Sequence, residues 1–267
     1  MKYSRWISAL FGAPLVILIL ALGNVYVIDI AFAIISAISL HEYFNSFKEK
    51  ANPIIWIGYL LSAFIAFIHI VPEEKIMPIL GVIVPFAILI MFIQVILSNN
   101  KVNVKDISIT LFGIFYIAVF LMFIPLIRGE ENGKLLIWYV MFAAWMTDTF
   151  AYLIGKKFGK HKFSEISPNK SIEGCIAGTV GATIVILIYT YVCNTYWGLN
   201  MNYAYITFVS VALSIIGQIG DFAASSIKRY VGIKDFSNLI PGHGGMLDRF
   251  DSVIFIAPFA YILLCLI

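Results

Sequence analysis

Charge is what this chain has least of. Asp, Glu, Lys and Arg make up 12% of its 267 residues, against about 25% in a soluble domain. That shortage excludes a soluble globular enzyme, and the apolar content excludes a disordered chain. Cysteine is also scarce. Cys175, Cys193 and Cys265 fall in apolar or near-apolar segments, with no CxxC and no His-rich spacing. Their spacing thus argues against a zinc site or a disulfide framework, and the three are read as small buried apolar residues. There is no low-complexity segment and no internal repeat. What is abundant is apolar surface: 61% of residues are hydrophobic, and mean hydropathy is +0.94. Together these define an all-α, polytopic integral membrane protein.

A helix needs about 20 apolar residues to cross a bilayer core. Breaks at polar clusters, Pro and Gly leave about nine transmembrane helices, at 6–22, 25–41, 54–71, 76–97, 107–127, 135–155, 175–193, 203–222 and 252–267. Lys2 and Arg5 precede the first run, which ends Ala21-Leu22-Gly23 like a signal-peptide cleavage site. The run from Trp6 to Leu22 is long for a signal peptide and contains Pro14, so it is read as an uncleaved span. Gly23-Asn24 then makes a tight helical hairpin with the second span.

Nine spans and a cytoplasmic N-terminus place fifteen cations inside: Lys2, Arg5, Lys48, Lys50, Lys101, Lys105, Lys156, Lys157, Lys160, Lys162, Lys170, Lys228, Arg229, Lys234 and Arg249. Only Lys75, Arg128 and Lys134 fall outside. The positive-inside rule favours this topology, and a missed span would scramble the alternation. The chain then divides into N-terminal helices at 1–133, a scaffold or lipid entrance, and a C-terminal catalytic region at 134–267. The latter carries the inner loops 156–174 and 223–251, where the chemistry is expected.

Several charges need a reason to be where they are. Asp148 lies about two turns inside the sixth span, where a carboxylate is costly unless it serves a site. Asp221 ends the eighth span. Ser225, Lys228 and Arg229 follow at helical spacing, so a continued helix carries all four on one face past the membrane. After Lys234-Asp235 comes Pro241-Gly242-His243-Gly244-Gly245, whose glycines allow close backbone approach and an anion-binding concavity. Asp248 and Asp251 share a face at the start of the last helix, where the dipole favours carboxylates. Taken singly, each feature also fits a helix end or a turn. Together they place hard oxygen donors (Asp148, Asp221, Asp248, Asp251) beside phosphate partners (Lys170, Lys228, Arg229, Lys234). Carboxylates with phosphates are how Mg²⁺ is usually held, and no Ser-His-Asp arrangement is present. The residues read as a membrane enzyme handling a polyphosphate and Mg²⁺ at the inner interface.

The segment Ser225 to Asp251 closely resembles the signature of the phosphatidate cytidylyltransferases, also called CDP-diacylglycerol synthases. It is carried by Ser225, Lys228-Arg229, Lys234-Asp235, Pro241-Gly242-His243-Gly244-Gly245 and Asp248-Arg249-Phe250-Asp251. Two further blocks look like the family: Asp148 with Ala151-Tyr152 and Gly155-Lys156, and Ser167-Pro168-Asn169-Lys170-Ser171 through Gly174. Ala224 stands where many members carry an acid, and Ser171 where Thr is common.

The resemblance implies CTP and phosphatidate as substrates, CDP-diacylglycerol and pyrophosphate as products, and Mg²⁺, with a second cation left open. It implies Asp221 and Asp248 as metal ligands, completed by Asp148 and Asp251. Lys170, Lys228, Arg229 and Lys234 would neutralise phosphate, and Asn169, Ser225, His243, Gly244 and Gly245 would line the substrate site. A homodimer, no nucleic-acid partner and a bacterial-type inner membrane are implied too. The alternatives are a CTP-dependent polyprenol or phytol kinase, cytidylyl transfer to an isoprenoid ether lipid, and a transporter. A transporter would use Asp148 for coupling, with Asp29 and Gln94 as scattered outer polar residues.

Overall fold

The computed structural model describes residues 14–99, 101–168, 170–242 and 244–266. These are helices joined by turns and loops, with no strand among them and two isolated bridges, Lys162 with Ser171 and Ile240 with Gly244. In chain order the helices are α1 (14–22), α2 (Val25–Ser46), α3 (Ile55–Ile65), α4 (Glu73–Leu97) and α5 (Val104–Gly113). A π turn, Ile114–Val119, leads to α6 (Phe120–Gly129). Then come α7 (Gly133–Phe158), α8 (Ile172–Trp197), α9 (Tyr203–Val231) and α10 (Leu247–Tyr261), which ends in a second π turn, Ile262–Leu266.

Among the described residues, seven helical stretches are long and apolar enough to cross a membrane: α2, α4, α5 through α6, α7, α8, α9 and α10 with its π turn. Each matches an expected span. The expected span 54–71 is the shorter helix α3 continued by turns. Of the first span, 14–22 is helical and 6–13 lie outside the described residues.

The chain forms two compact units. The first is Met1–Gly129 with Val231–Arg249, and the second is Glu130–Tyr230 with Phe250–Ile267. The loop that carries Lys234 to Asp248 thus belongs with the N-terminal helices.

In the first unit, polar groups fix the helix ends. Gly23 closes the α1–α2 turn, since a Cβ there would sit 2.4 Å from the Ile19 carbonyl. Asn24 caps α2 by accepting from Val27 N at 2.9 Å. Arg128 at the end of α6 donates to Gly23 O at 2.8 Å. At the opposite end, Asn103 and Asp106 form a capping box at the start of α5. Buried Asp106 also accepts from Asn52 N (2.7 Å), and Thr110 accepts from Ile54 N (2.8 Å). These ties sort the loops into the same two sets as the cation count: 23 with 128, and 52 with 106.

The second unit is held by close helix contact. Gly178 of α8 faces α7, and a Cβ there would lie 2.7 Å from the Thr147 carbonyl, the close approach that small residues permit between membrane helices. A ladder of hydroxyls and an amide crosses the three helices: Thr147 to Ser214 (2.7 Å), Ser214 to Thr179 (3.1 Å) and Gln218 to Thr179 (3.0 Å). The ladder fixes the register of α7 against α9, and with it the next residues along, Asp148 and Asp221.

Candidate active site

Helix α9 runs 29 residues, well beyond the length a bilayer requires. Its last turns carry Asp221, Ser225, Lys228 and Arg229 as the spacing predicts. Ser225 Oγ lies 3.4 Å from Asp221 Oδ1. Ser225 and Lys228 are buried, and Arg229 is exposed.

Lys170 forms an ion pair with Asp221. Its ammonium also stands 4.7 Å from the centre of the Phe222 ring, a cation–π placement, and Phe163 stacks on the other residue of that pair, Phe222, with ring centroids 4.7 Å apart. The 156–174 loop is built to deliver the lysine. Phe163 N donates to Lys170 O (3.0 Å) and Ile172 N to His161 O (3.0 Å). Glu173, in the first turn of α8, holds His161 Nδ1 at 2.6 Å and the backbone N–H of Lys160 at 3.2 Å. Ser171 caps α8 by accepting from Gly174 N at 3.1 Å.

Asp251 is buried on α10 and accepts from Ser252 N at 2.7 Å. It lies within electrostatic reach of Asp221, Asp148 and Lys228. The Asp148 side of α7 is open. Three carboxylates and two ammonium groups of the second unit, from α7, α9, α10 and the 156–174 loop, therefore act on one another. Beside them, between α8 and α9, runs an apolar groove of about 610 Å³. Ile176, Val180, Ile215 and Ile219 line its length, and Phe163 and Phe222 close the end nearest Lys170.

The first unit holds the other half of the expected residues. Lys234 and Asp235 are exposed. Gly242 and Gly244 adopt φ of +77° and +84°, a conformation glycine takes without strain. Asp248 Oδ2 accepts from Phe236 N (2.8 Å) and Gly245 N (2.9 Å), so it draws the two limbs of the loop together. Asn169 and His243 lie outside the described residues.

Sequence reasoning passed over Glu42 and Gln218, and gave Glu173 no role beyond its place in the block ending at Gly174. Glu42 is buried near the end of α2 and binds the 237–247 loop. Its only trace in the sequence is a carboxylate directly after an apolar span. The polar residues that a transporter would recruit are otherwise engaged. Asp29 is buried against His69 Nδ1 at 2.8 Å, and Gln94 accepts from Trp56 Nε1 at 3.3 Å.

Among the described residues, no three His, Cys, Asp or Glu side chains form a ready-made metal cage. Mg²⁺ is commonly bound by one or two carboxylates with substrate phosphates completing the shell. Carboxylates within electrostatic reach of one another, Asp251 with Asp221 and Asp148, fit that pattern.

The class is thus an all-helical protein that crosses the membrane several times and brings Lys170, Asp221, Asp148, Asp251 and Lys228 within reach of one another in its second unit. The chain belongs to the cytidylyltransferase family, whose model matches residues 3–267. It is similar to a phosphatidate cytidylyltransferase of Bacillus subtilis, 39% identical over 183 residues, 68% of this chain and 66% of that protein. One of Staphylococcus aureus is 42% identical over 170 residues, 63% of each. One of Staphylococcus haemolyticus is 32% identical over 264 residues, 97% of this chain and 98% of that protein. The matched stretch covers about two thirds of the first two relatives' length and nearly all of the third.

Proposed function

We propose that the chain is a phosphatidate cytidylyltransferase, joining CTP to phosphatidate and releasing pyrophosphate at the cytoplasmic face of a bacterial-type cell membrane. The observation that carries this is the meeting of Lys170, Asp221, Asp148, Asp251 and Lys228 in one compact unit, beside an apolar groove. A water-soluble nucleotide and a lipid can bring their phosphates together only near headgroup level. A charged cluster at the head of an apolar groove is what such a pair of substrates requires. The names of the similar proteins support the same substrates.

The chemistry needs positioning more than acid–base work. The phosphatidate phosphate is already an anion. One of its oxygens attacks the α-phosphorus of CTP in line, a P–O bond forms, and the bond to the β-phosphate bridge breaks as pyrophosphate leaves. Lys170, Lys228 and Arg229 neutralise the phosphates, and the acyl chains lie along Ile176, Val180, Ile215 and Ile219. Ser225 helps fix Asp221. The 234–248 loop, with Lys234, His243, Gly244 and Gly245, wraps the nucleotide. Asn169, the neighbour of Lys170 in sequence, is assigned to the lipid phosphate by the resemblance alone. Mg²⁺ would be held by Asp221, tuned by Asp148 and Asp251, and would supply positive charge to the phosphates, with a second cation an open alternative. Asp248, assigned to the metal by resemblance, also braces the loop, and its own substitution separates the two roles.

The cytoplasmic placement is supported by the cation count and by the bonds between the α2 end and the 237–247 loop, both expected inside. A homodimer is proposed as well and is checked by light scattering in detergent. The deciding experiment gives purified protein CTP, phosphatidate and Mg²⁺ and measures pyrophosphate and liponucleotide. Both should appear in equal amounts. CDP without pyrophosphate would make the protein a kinase, and transfer only to an isoprenoid ether lipid would change the acceptor.

A further inference from the structure

We infer that Glu42 is a positioning residue, which reaches from the second helix to hold the 236–248 loop in the shape that receives the nucleotide. The role in nucleotide binding rests on the function proposed above. The geometry does not.

Glu42 is 3% exposed. Its carboxylate has three partners on the loop. Oε1 accepts from Ser237 Oγ at 2.6 Å and from Met246 N at 2.9 Å, and Oε2 accepts from Leu247 N at 2.8 Å. Ser237 lies on the outgoing limb of the loop, and Met246 and Leu247 on the returning limb. One side chain therefore bridges both limbs, from 195 residues earlier in the chain. Asp248 does the same one step along, joining Phe236 N to Gly245 N. At the tip, Ile240 N donates to Gly244 O at 2.9 Å.

Two consequences follow from elementary chemistry. Leu247 is the first residue of α10, and the N–H groups there have no partner within the helix. A carboxylate at that end is favoured by the helix dipole, so Glu42 serves as a cap supplied by another helix. Charged hydrogen bonds of this kind are the strong ones, and removing the acceptor leaves buried donors unsatisfied. Second, Gly245 is glycine because Glu42 fills the space a side chain would need. A Cβ at 245 would lie 2.5 Å from Glu42 Oε2 and 2.7 Å from its Cδ. The last glycine of the Pro-Gly-His-Gly-Gly run thus accommodates a carboxylate of the protein itself.

The test compares Glu42→Gln, Glu42→Ala and Ser237→Ala in the full-length protein in detergent. Glu42→Ala should raise KM for CTP roughly tenfold or more, with KM for phosphatidate unchanged. Glu42→Gln keeps one accepting oxygen and should fall between. Ser237→Ala and Glu42→Gln combined should cost less than the product of their separate effects, because they share a bond. Amide hydrogen exchange without substrate gives a readout independent of activity. Exchange at Met246 and Leu247 should rise in Glu42→Gln, whatever reaction the protein catalyses. Unchanged exchange there, or additive effects on KM for CTP, would overturn the inference. If the wild-type protein fails to use CTP while exchange still rises in Glu42→Gln, the proposed function falls and Glu42 remains the loop's anchor. If Glu42→Ala does not fold, the milder pair decides alone.

Discussion

The acidic residues of the two units keep different company. In the first unit Glu42, Asp106 and Asp248 accept from backbone N–H groups, and Asp29 is bonded to His69. In the second, Asp221 is set against Lys170, and Asp251 lies within the fields of Asp221, Asp148 and Lys228. A carboxylate bonded to backbone amides fixes the chain, and its environment is complete when the protein has folded. Carboxylates held near one another repel, and in a poorly screened setting that repulsion is costly. They are retained where a cation or a phosphate is to arrive. Glu173 and Asp251 of the second unit also accept from backbone N–H groups, so the contrast is carried by Asp221, whose partner is a lysine, against Glu42 and Asp106, whose partners are the backbone.

Substitutions that strike one set and spare the other test this contrast. Asp221→Asn should have the largest effect, lowering turnover on the order of 10³-fold with the unfolding temperature close to wild type. Activity near normal would remove Asp221 from the metal. Asp106→Ala should do the reverse. It strips acceptors from Asn52 N and Asn103 N, costs about 3 kcal/mol of stability, and leaves turnover per folded molecule intact. If it silences the enzyme without lowering the melting temperature, the contrast fails. Lys228→Ala should raise substrate KM about tenfold, the worth of one charged contact, and move thermal stability less. An equal loss at limiting and saturating substrate would point to a purely structural lysine. The smallest effect belongs to the groove. Ile219→Val, one methylene shorter, should change the preference between long-chain and short-chain phosphatidate by about fourfold. An equal change for both chain lengths would place the acyl chains elsewhere.

Periodic features were readable from the sequence. Hydropathy located the spans, and helical spacing placed Asp221, Ser225 and Lys228 together, because both depend on neighbours a few residues apart. The hairpin at Gly23-Asn24 came from local turn chemistry for the same reason. The interruption Ile114–Val119 was not readable, since a π turn inside an apolar run leaves no change in composition. Nor was the pairing of Lys170 with Asp221 or of Glu42 with Ser237, which only the fold brings together. The glycine at 245 shows the limit most clearly. Its need for space was legible, but that Glu42 packs against it was not, because the two stand far apart in the chain.

The Lys170–Asp221 pair has a last consequence. In the resting protein each charge of the pair cancels the other, so the pair itself carries little net attraction for stray ions. A phosphate seeking the ammonium must release the carboxylate, and a divalent cation seeking the carboxylate must release the ammonium. On the function proposed above, each arrival would ease the other, so a cation and a phosphate would enter as a couple and either one alone would be a poor tenant.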